Sequence, residues 1–251
     1  MNFGKVIDIF TKNQSIWIYG IQMTLLLAFV GTLIGLVIGL LLGCIRAIKV
    51  EPRDSVILKI FKKCGHYFVN IYVWLFRGTP MMVQAVFFYY LLKPILDWDV
   101  VTAGITIVSI NTGAYMAEII RSGIQAVDNG QIEGARSIGM TSPQTMFSIV
   151  LPQAIKNSFP AIGNEFIVNI KDSSMLNVIG LVELFFQTRS VAGSNMLFAE
   201  TYFITAVIYL ILTSVTTLLL GWVERRMNLP KTTGPSSSTI PNMNREVSGN
   251  E

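Results

Sequence analysis

Acidic and amide side chains lie inside an otherwise apolar stretch of the sequence, residues 159–182. On a helix, Glu165, Asn169 and Asp172 occupy positions i, i+4 and i+7 and therefore share one face. A face of carboxylates and an amide can hold an amino or other cationic group of a small polar molecule. If the stretch crosses a membrane, its ionisable groups should face a bundle interior or a water-filled path, because their exposure to lipid is costly. These three residues are therefore candidates for a substrate path.

Neighbouring residues extend this candidate site or offer a different explanation of it. Asn164 and Lys171 share the adjacent face of the same helix, and Asn164 could join the substrate path. The alternative is a structural network, in which Glu165 or Asp172 pairs with Lys171 or with another helix. Arg77, within Arg77-Gly78-Thr79-Pro80, could face a substrate carboxylate, and a purely structural pairing is at least as well supported.

No arrangement of residues in the sequence is typical of a catalytic or metal site. His66 is the only histidine and, with only Cys64 near it in the sequence, forms no catalytic arrangement; Cys44 and Cys64 show no zinc-binding spacing. Glu118 and Arg121 stand three residues apart and are predicted to form an ion pair at a helix end. A membrane-embedded enzyme is therefore poorly supported.

A polar segment, residues 124–153, contains the helix-ending and helix-capping residues expected of two short helices joined by a turn. A helix over 131–138 would end at Gly139, where glycine adopts a positive φ at low cost. Thr141 or Ser142 can cap a second helix, which we predict to end at Pro152. An ordinary surface loop would not need these helix-ending and helix-capping residues, so the segment is predicted to be a docking surface for a partner protein.

The elements that position these residues must cross a membrane. Of the 251 residues, 52% are apolar and only 14% are charged, with a mean hydropathy of +0.56, so a disordered chain or a soluble enzyme is disfavoured. The net charge of +4 is too small and too dispersed to indicate nucleic-acid binding. The composition predicts an all-α integral membrane protein.

Long uncharged stretches predict about five transmembrane helices within a membrane domain at residues 1–228. The predicted spans are residues 16–45, 65–92, 100–123, 157–182 and 201–225. An amphipathic helix on the membrane surface is predicted before the first span, and residues 229–251 are predicted to be a disordered cytoplasmic tail. In the first span, Gly31, Gly35, Gly39 and Gly43 lie on one face, which predicts close packing against another helix.

The lysines and arginines indicate the orientation of the chain. Most follow the first span, lie in the segment between spans three and four, or follow the last span. The positive-inside rule therefore places the N-terminus outside the cell and the C-terminus in the cytoplasm, in agreement with an odd number of spans. The docking segment would then face the cytoplasm.

The docking segment resembles the EAA loop of ABC importer permeases. In that family's pattern, EAA is followed after three residues by Gly and after nine more by Ile-x-Leu-Pro. Here Glu133-Gly134-Ala135, Gly139 and Ile149-Val150-Leu151-Pro152 match every spacing, and Gly134 replaces the first Ala. The order of segments, Arg77-Gly78-Thr79-Pro80, and Gly163-Asn164-Glu165-Phe166 with Lys171-Asp172-Ser173 resemble the polar amino acid permeases of the family.

This resemblance covers about residues 16–228 and implies a permease subunit of an ATP-driven importer for polar amino acids in the cell membrane. The implied partners are a second permease subunit, identical or related, two ATPase subunits and an extracellular substrate-binding protein. The coupling of the ATPase would use Glu133, Gly134, Ala135, Gly139, Leu151 and Pro152. The substrate path would use Glu165, Asn164, Asn169, Asp172 and Arg77.

The chain has no GxxxxGK[ST] phosphate-binding loop, so ATP and Mg²⁺ are expected on the partner ATPase, with no cofactor or metal in this chain. The alternative is a secondary amino acid carrier or a channel with no ATPase partner. Such a carrier more often shows an inverted internal repeat, and no convincing repeat is present.

Overall fold

The computed structural model describes residues 1–48, 50 and 54–227, so the predicted tail at 229–251 lies outside the described residues. Every regular element in the described ranges is a helix, which confirms the all-α prediction. In chain order these are α1 (Phe3–Lys12), α2 (Gln14–Ala47), α3 (Val56–Gly78), α4 (Met81–Leu96), α5 (Val100–Gln125), α6 (Asn129–Ser137), α7 (Ser142–Thr145), a π-turn (Met146–Val150), α8 (Leu151–Asp172), a 3₁₀ segment (Ser173–Ile179), α9 (Leu184–Asn195) and α10 (Phe198–Arg226).

Three of these helices, α2, α5 and α10, are each long and apolar enough to cross a membrane, as predicted for spans one, three and five. The predicted second span consists of two helices, α3 and α4, which meet at 110°. The break lies at Thr79, whose backbone is extended because the following Pro80 disfavours helical geometry in the residue before it. The side-chain amide of buried Gln84 donates to the carbonyl oxygens of Phe76 and Thr79, each at 2.9 Å, and so satisfies the interrupted helix end.

The predicted fourth span, residues 157–182, corresponds to α8, which begins earlier than expected and ends at Asp172, and α8 is not among the described helices that are long and apolar enough to cross a membrane. The prediction that the second loop helix ends at Pro152 is wrong, because the helical path continues from Ser142 through the π-turn and α8 to Asp172. Pro152 lies in the first turn of α8, directly after the π-turn, in which the Leu151 N–H bonds to the Met146 carbonyl. The ring and the missing N–H of the proline therefore fall where the α-helical hydrogen-bond ladder is already interrupted.

The glycine face of α2 packs against α5, as the sequence predicts. Gly31, Gly35, Gly39 and Gly43 are all buried. A methyl group at Gly35 would lie 2.7 Å from Thr112 Cγ2, and one at Gly43 would lie 2.9 Å from Ile120 Cγ2. The two backbones approach closely because these positions carry no side chain.

At one end of the bundle, α1 folds back onto the beginning of α10. The Asn2 backbone N–H donates to Glu200 Oε1 at 3.0 Å, and the rings of Phe3 and Phe203 meet edge to face.

The same end carries Asp99, which caps α5. Hydrogen bonds from the Thr102 hydroxyl and the Thr102 backbone N–H lower the pKa of the Asp99 carboxyl.

The opposite end carries α6 and α7. Partly buried Ala47, at the end of α2, packs on the same apolar cluster as Ile132 and Met146. The end of α2, the α6–α7 segment and the start of α8 are therefore neighbours, and we refer to residues 129–147 as the tip.

Candidate functional site

The turn of the tip is a complete helix C-cap. Gly139 has φ of +86°, the Met140 N–H donates to the Ala135 carbonyl at 3.1 Å, and the Gly139 N–H donates to the Arg136 carbonyl at 3.0 Å. These two bonds define a Schellman motif, which satisfies carbonyl groups at the end of α6. The predicted helix end at Gly139 is confirmed.

A capping box begins the second helix of the tip at Thr141. The Gln144 N–H donates to Thr141 Oγ1 at 3.4 Å, and the Thr141 N–H donates to Gln144 Oε1 at 2.9 Å. Thr141 is therefore the capping residue, and Ser142 is the first helical residue.

The tip presents a mixed polar and apolar surface. Glu133 and Gly134 are exposed, and a methyl group at Gly134 would have no atom of the chain within 4 Å. Ala135 points the other way and is buried against the chain itself. Ile138 and Phe147 are 80% and 65% exposed, respectively, so two large apolar side chains stand out on this end of the molecule.

Sequence reasoning missed Ile138 and Phe147, although apolar residues within a polar segment predicted to face a partner were a signal that could have been used. Two further residues predicted to couple the ATPase lie beyond the tip: Leu151 is partly buried and Pro152 is exposed at the start of α8. They belong to the helical path that leads away from the tip.

Asn169 connects three helices by hydrogen bonds. Its amide nitrogen donates to Thr32 Oγ1 of α2 at 2.8 Å and to Thr112 Oγ1 of α5 at 3.0 Å, and the Thr112 hydroxyl lies 3.2 Å from its amide oxygen. All three residues are buried. With its amide engaged in this way, Asn169 holds α8 against α2 and α5, which favours the structural interpretation for this residue.

Glu165 differs from Asn169 although it lies one turn away on the same helix. The side chain is buried, with 9% of the residue exposed, and within residues 1–48, 50 and 54–227 its carboxylate makes no hydrogen bond or ion pair. Two charged groups act on it: Arg77 attracts the carboxylate and Asp172 repels it. One form of the structural alternative, an ion pair of Glu165 or Asp172 with Lys171, is absent from the described residues.

Asn164 lies apart from Glu165. It is exposed in a groove of about 450 Å³ between α8 and α10, beside Thr217, Gly221 and Glu224. Asp172 is partly buried at the end of α8. Arg77 and Asp172 are the charged groups that act on the Glu165 carboxylate, and Asn164 and Asn169 lie in different surroundings.

Arg77 belongs to a cluster of arginines around Glu118. Arg121 Nη2 lies 2.8 Å from Glu118 Oε2, Arg46 pairs with Oε1 of the same carboxylate, and Arg77 Nη1 lies 3.7 Å from Oε1. The Arg77 guanidinium also lies over the ring of Tyr115, 5.3 Å from its centroid. The predicted Glu118–Arg121 pair is confirmed, and it is part of a larger cluster that joins α2, α3 and α5.

A buried carboxylate that sequence reasoning missed is that of Glu183. Its oxygens accept the N–H groups of Phe185 and Phe186, both at 2.8 Å, and the Tyr209 hydroxyl at 3.3 Å. Glu183 thereby caps α9 and ties it to α10. A lone carboxylate in an apolar segment was the available signal. Among the described residues, no group of three or more His, Cys, Asp or Glu side chains could hold a metal ion.

Residues 57–229 match the family described as "binding-protein-dependent transport system inner membrane component". The chain belongs to this family. It is therefore a membrane permease component of ABC importers, which is not itself an enzyme. The matches do not favour a self-contained carrier, channel or membrane enzyme.

Named relatives of this permease cover most of its length. The glutamine transport system permease protein GlnP of Escherichia coli K12 is 34% identical over 84% of this chain and 93% of its own. The L-cystine transport system permease protein TcyB of Bacillus subtilis is 31% identical over 91% of this chain and 94% of its own.

Solved structures agree with the fold. A structure described as an amino acid ABC transporter with histidines has 39% identity and a TM-score of 0.75, over 86% of this chain and 96% of its own. An inward-facing MetNI methionine ABC transporter has 20% identity and a TM-score of 0.71, over 85% of this chain and 97% of its own, and shows the fold alone.

Proposed function

We propose that this permease is the transmembrane subunit of an ATP-driven importer for polar amino acids, placed in the cell membrane with its N-terminus outside and its C-terminus in the cytoplasm. The names of the glutamine and cystine permeases support the substrate class. The distribution of lysine and arginine supports the orientation. The tip then faces the cytoplasm.

In this proposal the tip docks into a groove of a partner ATPase, which binds ATP and Mg²⁺. Exposed Ile138 and Phe147 supply apolar contact area, and Glu133 can accept charge-assisted hydrogen bonds from the partner. A small residue at position 134, glycine here and alanine in the family pattern, allows close approach of the two backbones, since the space around it is open. A second permease subunit and an extracellular binding protein complete the importer.

The single observation that carries the proposal is the continuous helical path that runs from the tip through the π-turn and Pro160 to Glu165. Ser142 begins this path and Asp172 ends it, so the path contains both Phe147 of the docking surface and the buried Glu165 carboxylate. Movement of the tip by the ATPase would move the Glu165 carboxylate with it.

For the substrate, we assign the amino or cationic group to Glu165 and the carboxylate to Arg77. Burial without a hydrogen-bonding partner in the described chain supports a role for Glu165 as a binding group, because such a carboxylate is stabilised when a cation reaches it. Asp172 adds negative charge to the same region, and Asn164 lines the neighbouring groove. Asn169 and Leu151–Pro152 would act by positioning α8.

The test is uptake of labelled glutamine, arginine, histidine and cystine into proteoliposomes that contain the assembled complex. We expect ATP-dependent uptake of at least one of them and substrate-stimulated ATP hydrolysis. A Phe147→Ala variant should lose the co-purifying ATPase while it still inserts into the membrane. Uptake without ATP and without an ATPase partner would instead support a secondary carrier.

A further inference from the structure

A buried asparagine of α5 supports the break between α3 and α4 with one end of its side chain. The Asn111 amide nitrogen donates to the Phe76 carbonyl at 3.3 Å and to Gln84 Oε1 at 2.9 Å. Both hydrogens of this amide are therefore used. The amide oxygen, Asn111 Oδ1, accepts no hydrogen bond within residues 1–48, 50 and 54–227. One end of the side chain is fixed, and the other carries an unused acceptor.

The unused oxygen is open to a ligand. Asn111 is 7% exposed. In the described part of the chain, the side-chain atoms that are both fully enclosed and without a hydrogen bond belong to Trp17, His66, Trp98 and Thr145, and Asn111 Oδ1 is not among them. An acceptor without a partner in a membrane-spanning helix is costly, because lipid offers no donor. An N–H group that enters the protein at this point would offset the cost.

Asn111 shares one face of α5 with two residues that contact Arg77. Asn111, Tyr115 and Glu118 occupy positions i, i+4 and i+7 of the helix. The Arg77 guanidinium lies over the ring of Tyr115, which is one turn, or about 6 Å, along α5 from Asn111. Phe76, whose carbonyl accepts from Asn111, is the residue before Arg77. A cation and an unused acceptor therefore border the same face of α5.

Arg77 is the arginine of the Glu118 cluster best placed to bind a second carboxylate. Its side chain is 43% exposed, compared with 30% for Arg121 and 24% for Arg46. Its Nη1 lies 3.7 Å from Glu118 Oε1, whereas Arg121 Nη2 lies 2.8 Å from Oε2. A guanidinium has five N–H donors, so Arg77 can stay near Glu118 and still bind the carboxylate of a ligand.

We propose that Asn111 Oδ1 binds the α-amino group of the transported amino acid while Arg77 binds its α-carboxylate, a proposal that rests on the proposed substrate class. Because both groups are attached to the same carbon, one head group can bridge the single turn between the two residues. This part of the site is the same for every amino acid. Glu165 then remains available to the cationic group of a side chain such as that of arginine, so different residues read the head group and the side chain.

Equilibrium binding to the permease–ATPase complex in lipid nanodiscs, without the binding protein, tests the role of Asn111. Glutamine is compared with glutaramate, which has the same carboxylate and side-chain amide but no amino group. The unaltered complex should bind glutamine at least about 10-fold more tightly, the effect of one charge-assisted hydrogen bond. The Asn111→Leu variant, whose side chain is of similar size, should lower this ratio about 10-fold. Arginine compared with 5-guanidinopentanoate should give the same result.

Two variants separate ligand binding from support of the helix break. Asn111→Asp keeps an acceptor oxygen and loses both N–H donors, so its Tm should fall while its preference for glutamine over glutaramate is kept. Gln84→Met is the matched control, because it removes the neighbouring amide that donates to Phe76 and Thr79 but leaves Asn111 Oδ1 in place. Its Tm should fall as well, and its preference for glutamine should also be kept.

Three results would overturn the assignment of Asn111. One is an unchanged ratio in Asn111→Leu, and another is equal affinity of the unaltered complex for glutamine and glutaramate. The third is an equal loss of the ratio in Gln84→Met, which would show that the shape of the break sets the preference. If the unaltered complex binds neither glutamine nor arginine, the proposed substrate class is itself wrong, and the assignment of Asn111 fails with it.

Discussion

Replacement of Gly139 by alanine should weaken the docking of the ATPase without changing any side chain that touches it. The φ of Gly139 is +86°, a left-handed conformation that costs an L-residue about 1–2 kcal/mol. Alanine there opposes the Schellman turn that sets the angle between α6 and α7. If docking requires the native turn, the affinity for the ATPase should fall by up to about 30-fold.

The chain supplies a matched control five residues earlier. Gly134 lies inside α6, and a methyl group there would have no atom of the chain within 4 Å, so Gly134→Ala causes no clash and should favour the helix by about 1 kcal/mol. Alanine is therefore expected to weaken ATPase binding at position 139 and to leave it unchanged or stronger at position 134.

The assay is a titration of the purified ATPase subunit against each permease variant, read as substrate-stimulated ATP hydrolysis in proteoliposomes. Basal hydrolysis by the ATPase alone serves as the reference. Equal half-saturating concentrations for Gly139→Ala and Gly134→Ala would refute the role of the tip turn in docking, because only one of the two substitutions opposes the backbone.

Three further predictions address the membrane part of the permease. Glu165→Gln should reduce arginine uptake more than glutamine uptake and leave basal ATPase activity and Tm unchanged; an equal loss for both substrates with a lowered Tm would make Glu165 structural. Gly35→Leu should separate α2 from α5, because even a methyl carbon there would lie 2.7 Å from Thr112 Cγ2. We expect the free energy of unfolding, measured by thermal unfolding, to fall by at least about 1–3 kcal/mol. Glu183→Ala should lower stability by about 2–4 kcal/mol, since two backbone N–H groups and the Tyr209 hydroxyl lose their acceptor; a Tm within error of the unaltered chain would contradict this.

Local sequence rules predicted much of the tip and of the helix packing. Gly139 and Thr141 set a turn and a cap through backbone bonds within a few residues, and such local chemistry is visible in sequence. The glycines of α2 predicted a close contact for the same reason, because a missing side chain has one main structural consequence. What the sequence could not show was the partner of that contact, α5.

The surroundings of the charged residues were much harder to predict, because they depend on contacts between distant helices. Arg77 and Arg46 converge on Glu118 from α3 and α2, and no spacing in the sequence relates them. Asn169 and Glu165 looked equivalent on one helical face, yet only Asn169 meets hydroxyl groups from two neighbouring helices. Pro152 misled the prediction because the π-turn directly before it accommodates the proline within a continuing helical path.

The position of that π-turn bears on how the permease would transmit force. From Gln144 in the tip to Glu165 the helical path rises about 30 Å at 1.5 Å per residue. An α-helix of this length moves nearly as one body, so a displacement at the tip reaches the carboxylate unless the helix yields on the way. Two points on the path depart from regular α-helical bonding, the π-turn at Met146–Val150 and Pro160, and both lie between Gln144 and Glu165. Beyond them, Asn169 fastens α8 to α2 and α5, so rotation of α8 must strain that hydrogen-bonded contact. In the proposed mechanism, tip movement and a change in the surroundings of Glu165 would therefore be linked through this one helical path.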